Sequence, residues 1–365
     1  MPDLTGNEER YVCEAIRSSW ISSTGTFLNR FEAEFAGMCG TNSAVSICNG
    51  TVALHLALLA LDVRPGDEVL VPSLTYIATA NAVRYVGAEP VFVDVDPTTW
   101  CMDPLKVEAA ITRRTRGMIP VHLYGHPADM DALNHLAAVH GLWVVEDAAE
   151  AHLARYKGRP VGSFGRLATF SFYGNKIFTS GEGGAITVSD RNLEVRIRTL
   201  RGQGVDPSRR YYFPVTGYNF RLTNVAAAFL CAQLERAEGI VARRREIYDA
   251  YDRALRGVPG LGFQPTAEWA EPAPWLYCIT VDPSVAKVDR DGLMAALAAE
   301  GIDSRPFFLP LHLLPPFREE ATKRGDLLPE TERLGAVGLN LPTYAALTED
   351  DLGRITHVIR RSVGA

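Results

Sequence analysis

The strongest constraint on the fold is an alternation of short β-branched segments with longer helical segments between about residues 40 and 190. The apolar segments at residues 68–71, 90–95, 118–123 and 142–146 are short enough to be buried strands. Residues 75–87, 104–111 and 130–140 lie between them and have helical spacing. This order predicts an α/β fold with a large, mainly parallel sheet and helices on both faces. Ligands bind such sheets beyond the carboxyl ends of the strands.

The rest of the chain predicts a second, smaller α/β unit. Residues 209–224 are aromatic and basic with little periodicity, which predicts a long ordered loop, and residues 241–255 form a long charged helix that connects two domains. Beyond residue 257 we expect a strand near residues 276–281 and helices at residues 290–300 and 349–362. The predicted domains are residues 1–240 and residues 241–365.

The composition excludes several classes of protein. The chain has 365 residues, 47% of them hydrophobic, which is enough to bury a large core. A net charge of −6 argues against nucleic acid as a partner. The six cysteines show no close metal-type pairing, and the N-terminus lacks the features of a signal peptide. No apolar segment is long enough to span a membrane. We therefore expect a cytoplasmic protein with no bound metal and no membrane partner.

A single lysine suggests catalysis. Lys176 follows the apolar segment at residues 170–173, where we place it at a strand end, and the glycine-rich turn at residues 181–184 comes next. A lysine in this position can hold an aldehyde cofactor as a Schiff base. Such a cofactor also needs a carboxylate for its ring, a helix N-terminus for its phosphate and an aromatic side chain for stacking.

Two carboxylates follow the strand predicted at residues 142–146. Asp147 could keep a pyridine nitrogen protonated and so deepen its capacity as an electron sink. Glu150 could reach the phenolic oxygen of the same ring. An isolated aspartate at a strand end is more often a simple cap, and Glu150 could equally be a solvated carboxylate. The presence of Lys176 at a second strand end favours the catalytic interpretation.

The remaining cofactor contacts each have an ordinary structural alternative. Gly50 and Thr51 open a predicted helix, where free N–H groups and the helix dipole attract anions, although a routine helix cap would look the same. Ser171 could add a hydroxyl to the same phosphate. Tyr76 could stack on a planar cofactor, or it could belong to the core. Asn219 could bind a phosphate, or it could be a turn residue.

Taken together, these motifs resemble the DegT/StrS-type sugar aminotransferases. The resemblance runs from about residue 20 to residue 312 and rests on these motifs: Asn49-Gly50-Thr51, Thr75-Tyr76, DAAEAH at 147–152, SFYGNK at 171–176, GEGG at 181–184 and GYNFR at 217–221. It implies a fold type I enzyme that depends on pyridoxal 5'-phosphate and aminates ketosugars. Lys176 would carry the cofactor and Asp147 would pair with its ring nitrogen. Glu150 would lie near the phenolic oxygen.

The resemblance also assigns the phosphate contacts and a partner. It implies that Gly50, Thr51 and Ser171 hold the phosphate, with Tyr76 against the ring. Asn219 would reach the phosphate of another subunit, which implies a homodimer with shared active sites.

Within the family, the segments RGQGV at 201–205 and RRYYFP at 209–214 look most like the GDP-perosamine synthase branch. This similarity suggests a GDP-linked 4-keto-6-deoxyhexose, or a related longer sugar, as substrate. The candidate substrate contacts are Tyr173, Arg209, Arg210, Arg221 and His312. A lone histidine among apolar residues, such as His312, is more often packed or capping. One position departs from the family pattern. Leu153 stands where the family carries glycine or serine, which predicts a reshaped pocket.

The mechanism implied by the family has Lys176 as both covalent anchor and general base. Lys176 is displaced by glutamate or glutamine, moves a proton while the amino group passes to the cofactor, and returns a proton to the sugar. Two alternatives remain. A sugar dehydratase on the same fold would carry histidine in place of Lys176, and a regulatory protein would bind the cofactor without turnover.

Overall fold

The structure is a computed structural model that describes residues 2–206 and 208–365. Within these residues the strands form a seven-stranded sheet, a four-stranded sheet and a three-stranded sheet. The strands are β1 (Ser43–Ile47), β2 (Glu68–Pro72), β3 (Glu89–Val93), β4 (Thr115–Met118), β5 (Trp143–Asp147), β6 (Arg155–Tyr156), β7 (Arg159–Pro160), β8 (Leu167–Ser171), β9 (Gly184–Val188), β10 (Leu261–Phe263), β11 (Ala270–Glu271), β12 (Tyr277–Val281), β13 (Arg305–Pro306) and β14 (Gly338–Leu341).

The large sheet has the strand order β1-β9-β8-β5-β4-β2-β3. Strands β8, β5, β4, β2 and β3 run parallel to their neighbours, and β9 runs antiparallel to β8 and β1. In the β2–β3 pair, Glu68 lies opposite Glu89 and Pro72 lies opposite Val93. Strands β2 and β8 are buried along their whole length because helices cover both faces of the sheet. The predicted α/β fold with a mostly parallel sheet is therefore confirmed.

Helices pack against the seven-stranded and four-stranded sheets. They are α1 (Glu8–Arg17), α2 (Thr26–Cys39), α3 (Gly50–Ala60), α4 (Ala78–Tyr85), α5 (Pro104–Ala110), α6 (Met130–His140), α7 (Arg191–Arg201), α8 (Asn224–Glu235), α9 (Ala237–Leu255), α10 (Arg290–Ala299), α11 (Pro315–Arg324), α12 (Pro329–Val337) and α13 (Glu349–Val363), with 3₁₀ turns at Leu123–Gly125 and Leu311–Leu313. No helix in the described ranges is both long and apolar enough to cross a membrane.

Hydrophobic cores lie on both faces of the large sheet. On one face, Phe35 packs edge-on against Phe170 and Phe172, with ring centroids 4.9 Å and 5.2 Å away. On the other face, Leu56 and Leu58 of α3 are completely buried. Through these edge-on aromatic contacts, α2 packs against β8 and against the segment that follows β8.

A third core belongs to the small antiparallel sheet, whose strand order is β10-β12-β14-β13. Helices α9, α10 and α13 contribute buried residues to this core, among them Ile247, Leu293 and Ile359. The predicted boundary after residue 240 falls inside α9, which carries the chain from one sheet to the other. The division of the chain at this residue stays a prediction.

The strand predicted at residues 118–123 is wrong, because β4 ends at Met118. Gly117 lies opposite Trp143 of β5, and a Cβ atom on Gly117 would come within 2.1 Å of the indole. The strand therefore requires a glycine, a residue of low β-propensity that the apolar pattern does not mark. Pro120 then lacks the N–H group that a central strand needs, and a 3₁₀ turn follows at Leu123–Gly125.

Candidate active site

Lys176 lies in a tight loop beyond β8, five positions after the last strand residue, Ser171. The prediction that the lysine itself ends a strand is therefore wrong. The loop returns to the sheet because Phe172 donates its N–H to the Gly183 carbonyl at 2.8 Å and accepts from Ser180 at 3.1 Å. The Lys176 N–H bonds to the Tyr173 carbonyl at 2.9 Å. These bonds hold the lysine in a defined position without a strand.

The Lys176 side chain is only 12% exposed and lies between a carboxylate and an aromatic ring. Its Nζ atom is 4.0 Å from Glu150 Oε1 and 4.0 Å from the centroid of the Trp275 ring. Burial lowers the pKa of Lys176, and the charges of Glu150 and Asp147 oppose that shift. A lowered pKa increases the fraction of neutral amine, which is the form that attacks a carbonyl.

Asp147 is the last residue of β5, at the predicted strand end. Its Oδ2 accepts a hydrogen bond from the Thr79 hydroxyl at 2.8 Å, and its Oδ1 accepts from the Ala149 N–H at 3.2 Å. Burial raises the pKa of Asp147 in spite of these two bonds. A positive charge placed against this carboxylate would therefore be strongly favoured.

Glu150 is buried next to the lysine. Its Oε2 accepts the N–H of Tyr124 at 2.8 Å, and Tyr124 adopts a left-handed backbone with φ of 52°. Burial raises the pKa of Glu150 to about 7, against the opposing effects of Lys176 and of the Tyr124 N–H. Glu150 is therefore poised to exchange a proton near neutral pH.

A buried network supports the carboxyl end of β5. Glu146, next to Asp147, accepts N–H groups from Gly162, Phe164 and Gly165 at 2.7–2.8 Å. Its Oε2 is also 3.1 Å from His122 Nε2. The His122 Nδ1 accepts the Ala128 N–H at 3.0 Å, so Nε2 carries the proton that Glu146 accepts. Glu146 thus ties the loop at residues 162–165 to the strand that carries Asp147.

A second cluster forms an anion cradle at the start of α3. Asn49 caps the helix by accepting the Val52 N–H at 2.9 Å, so the N–H groups of Gly50 and Thr51 have no intrahelical acceptor. Ser171 lies against the same turn, since a Cβ atom on Gly50 would be 2.7 Å from the Ser171 Cβ and 3.2 Å from its Oγ. Free N–H groups, the helix dipole and a hydroxyl therefore meet at one point.

Four of the predicted contacts lie on exposed segments. Asn219 and Arg221 form a pair in which the guanidinium donates to the Asn219 Oδ1 at 3.3 Å and 2.9 Å. Arg209 lies 4.6 Å over the Tyr212 ring, and Arg210 similarly covers Tyr211. None of these four residues lines the cavity that contains Lys176.

The two predicted aromatic contacts are accessible. Tyr76 is 59% exposed with its ring centroid 5.9 Å from that of Phe308, and Tyr173 is 52% exposed. Both are free to meet a ligand or another subunit. The geometry is compatible with their predicted roles and does not test them.

His312 is buried with both ring nitrogens engaged. Its Nδ1 is 2.8 Å from the Ser73 hydroxyl, and its Nε2 is 3.2 Å from Glu332 Oε1. These contacts agree with the packed or capping alternative.

Leu153, the departure from the family pattern, has a φ of 63°. This left-handed backbone conformation favours glycine, which explains why glycine suits this position in the family pattern. The Leu153 side chain packs against the hydrophobic core of the large sheet. We find it in this core and not in the lining of the cavity beside Lys176.

Three residues of the site were missed by the sequence analysis. Trp275 covers Lys176 and donates its indole N–H to the Asn175 carbonyl at 2.9 Å. Thr79 orients Asp147, and Arg244 lines a cavity of about 340 Å³ that Lys176 also lines. Trp275 and Asn175 are 100 positions apart, so no local pattern connects them.

Comparisons with known proteins agree with this geometry. The chain matches the DegT/DnrJ/EryC1/StrS aminotransferase family over residues 2–360. It is 49% identical to the GDP-perosamine synthase of Caulobacter vibrioides, over 97% of this chain and 95% of that protein. It is 42% identical to the dTDP-3-amino-3,4,6-trideoxy-alpha-D-glucose transaminase of Streptomyces venezuelae, over 92% and 87%. The crystal structure of S. venezuelae DesV in complex with a ketimine intermediate superposes with a TM-score of 0.91 at 40% identity, over 98% and 95%.

Proposed function

The chain belongs to the DegT/DnrJ/EryC1/StrS aminotransferase family, and from this premise we propose that it aminates the keto group of a nucleotide-linked sugar with pyridoxal 5'-phosphate as cofactor. The observation that carries the proposal is the cluster of Lys176, Asp147 and Glu150 beside the anion cradle of α3. Each of these residues matches one requirement of the cofactor.

The residues fit pyridoxal phosphate in three ways. The cradle of Gly50, Thr51 and Ser171 offers donors for a phosphate group. Among the described residues, Asp147 is a buried carboxylate without a cationic partner within ion-pair distance, and it suits a protonated pyridine nitrogen. Lys176 supplies the amine that such a cofactor requires. We propose that Tyr76 stacks on the ring and that Glu150 lies near the phenolic oxygen.

Each of these side chains has a task in the reaction. Bound pyridoxal phosphate acts as an electron sink that makes the α-proton of an amine acidic. Lys176 accepts that proton at Nζ and later returns a proton to the sugar carbon. Asp147 places its negative charge against the ring nitrogen, whose positive charge would offset the effect of burial, and Thr79 and the Ala149 N–H orient the carboxylate. Trp275 covers Lys176 and limits the access of water to its amine.

The relatives support a nucleotide sugar as substrate. The chain is 49% identical to a GDP-perosamine synthase and 42% identical to a transaminase of a dTDP sugar. We propose a GDP-linked 4-keto-6-deoxyhexose, or a related longer sugar, and an aminosugar product for polysaccharide or antibiotic biosynthesis. Tyr173, Arg209, Arg210 and Arg221 are the proposed contacts, since guanidinium groups bind phosphates through charge-assisted hydrogen bonds.

We also propose a homodimer in which Asn219 reaches the phosphate site of the partner subunit. Arg221 occupies the carbonyl oxygen of the Asn219 amide and leaves the amide N–H groups free to donate. The exposed aromatic residues Tyr211, Tyr212 and Phe213 lie on the same loop and are suited to an interface. The six unpaired cysteines are compatible with the reducing conditions of the cytoplasm, which is the proposed location.

Replacing Lys176 tests the proposal. We expect Lys176→Ala to remove the visible absorbance of lysine-bound cofactor and to lower turnover at least about 10²- to 10⁴-fold, the usual contribution of a general acid–base group. The control is Lys157→Ala, because Lys157 is exposed and its amine pairs with Asp131 at the surface. The measurements are an absorbance scan and chromatography of the products from glutamate or glutamine with a GDP-linked ketosugar.

Two outcomes would contradict the proposal. Full turnover in Lys176→Ala would show that the lysine is not the reacting group. A wild-type protein whose absorbance ignores every amino donor would favour a regulatory role or a dehydratase.

A further inference from the structure

Arg244 is a buried arginine with an incomplete set of partners. It lies on α9 and is 6% exposed. Its Nη1 donates to the carbonyl oxygens of Trp275 at 2.9 Å and Thr343 at 3.1 Å, with a longer contact to Pro274 at 3.5 Å. These bonds connect α9 to the two segments that flank the small sheet. They use only one nitrogen of the guanidinium.

The rest of the Arg244 guanidinium is unpaired within the described part of the chain. Its Nε and Nη2 donate to no protein group there, and no carboxylate lies within 4.0 Å. By contrast, the similarly buried Arg201 pairs with Glu32 at 3.0 Å. Burial lowers the pKa of Arg244 to about 10, with no nearby carboxylate to offset the shift. A buried cation without a counter-ion is costly, and an anionic ligand would relieve that cost.

Arg244 lines the cavity that Lys176 also lines. The other cations in the lining are Arg305 and Arg354, and the carboxylates are Asp303 and Asp351. The lining therefore carries an excess of positive charge, and the carboxylate of Asp351 is already engaged in capping α13. The cavity volume of about 340 Å³ suits a small anionic molecule.

The cavity wall also holds an unused acceptor. The side-chain oxygen of Asn175, the residue before the lysine, is buried and has no hydrogen-bond partner. Asn175 lines the same cavity as Arg244. An unpaired donor group and an unpaired acceptor group thus border one space beside Lys176, as expected for a site that a polar ligand completes.

Trp275 relates the positions of the two cations. Its ring covers the Lys176 amine, and its backbone carbonyl accepts from Arg244. Trp275 therefore contacts both cations, the amine through its ring and the guanidinium through its backbone carbonyl. In an amino-acid donor, the α-carboxylate is attached to the carbon that bears the reacting nitrogen. A side-chain carboxylate stands farther from that carbon, so it can reach a second cation while the nitrogen is at the reacting centre.

We propose that Arg244 binds the side-chain carboxylate of the amino donor and thereby selects glutamate over glutamine. The inference rests on the proposed aminotransferase function and adds the donor and the residue that recognises it. Glutamine has a neutral amide in place of that carboxylate. Its binding therefore leaves the guanidinium without a counter-ion.

Equilibrium binding of unreactive analogues tests the site without turnover. The probes are glutarate and its monoamide, which lack the amine, titrated calorimetrically into the protein loaded with pyridoxal phosphate. We expect Arg244→Gln to weaken glutarate binding about 10- to 100-fold, the usual range for a charge-assisted hydrogen bond. Binding of the monoamide should change little. Arg245→Gln is the matched control, because Arg245 is the next residue on α9 and is exposed.

The donor half-reaction supplies the second test. We expect glutamate to bleach the visible absorbance of the loaded wild-type protein at lower concentration than glutamine does. In Arg244→Gln this preference should disappear, because the glutamate concentration needed for bleaching rises while the glutamine concentration needed stays the same. Arg244→Lys keeps the charge but loses the planar fork, so it should retain part of the preference. If Arg244→Gln fails to fold, the glutamate-to-glutamine ratio of Arg244→Lys decides the question.

Two results would overturn the inference. One is an equal loss for both donors, which would mean that Arg244 has a structural role or contacts the α-carboxylate. The other is an unchanged preference. Failure of the proposed function is distinguishable, because the wild-type protein would then respond to neither donor.

Discussion

Replacing Glu150 with glutamine should change how the stability of the cofactor-free protein depends on pH. Glu150 is buried, accepts the Tyr124 N–H and has Lys176 at 4.0 Å. Burial raises its pKa from an ordinary value of 4.5 to about 7. The folded protein therefore holds this proton more tightly than the unfolded chain does. Glutamine keeps the shape of the side chain but does not titrate.

The sign and size of the effect follow from this shift. For a carboxyl group with a raised pKa, the contribution to stability is complete below pH 4.5 and is lost as the pH rises toward 7. Each pKa unit corresponds to about 1.4 kcal/mol, so the loss across this window is roughly 3 kcal/mol. Above pH 7 the contribution stays constant, because Glu150 is then ionised in both states.

Thermal unfolding of the cofactor-free protein at pH 5, 6, 7 and 8 measures this effect. The midpoint of Glu150→Gln relative to wild type should rise between pH 5 and pH 7, by an amount on the order of 5 °C, and then level off. Glu182→Gln is the control, since Glu182 is exposed in the glycine-rich turn. If the unfolding midpoints of wild type and Glu150→Gln changed in parallel with pH, the reasoning would be refuted.

Two further substitutions test backbone features of the site. Gly50→Ala places a Cβ atom 2.7 Å from the Ser171 Cβ, so it should destabilise the protein by about 1–3 kcal/mol in chemical denaturation and weaken cofactor binding. The control is Gly37→Ala in α2, where the added Cβ meets no atom within 4 Å, so the change should be neutral or stabilising by up to about 1 kcal/mol. Equal effects of Gly50→Ala and Gly37→Ala on stability would contradict this account. At Leu153, with its φ of 63°, glycine should give a protein about 1 kcal/mol more stable than alanine, the reverse of the usual order, and thermal unfolding of the two variants checks it.

Periodicity predicted the elements whose structure depends on one buried face. The helix expected at residues 130–140 is α6, Met130–His140, because its apolar spacing lies within the segment and Asp129, the residue just before it, caps the helix. Strand β4 was misplaced because its centre is Gly117, which must be small to accommodate Trp143 of the neighbouring strand. A requirement imposed by a neighbouring strand leaves no trace in the local pattern.

The candidate site likewise combines residues that the local sequence pattern reveals with residues that only distant segments supply. Asp147 and Glu150 are close in sequence, and Lys176 belongs to a motif that sequence alone can identify. The residues that tune these groups come from distant segments, such as Thr79 on α4 and Trp275 before β12. Each acts through a contact that only the folded chain creates.

The charges of the site are unbalanced in two places, and the two imbalances are complementary. The buried carboxylates of Asp147 and Glu150 face a single amine whose pKa is lowered by burial. Arg244 is buried with no carboxylate partner among the described residues. An ion pair between Arg244 and one of these two carboxylates would neutralise both groups, but no such pair forms among the described residues. A cofactor with a cationic ring nitrogen would satisfy Asp147, and a donor with a second carboxylate would satisfy Arg244. Bound ligands therefore replace the missing ion pairs, so we expect loading with cofactor and donor to stabilise the fold as well as to assemble the reaction.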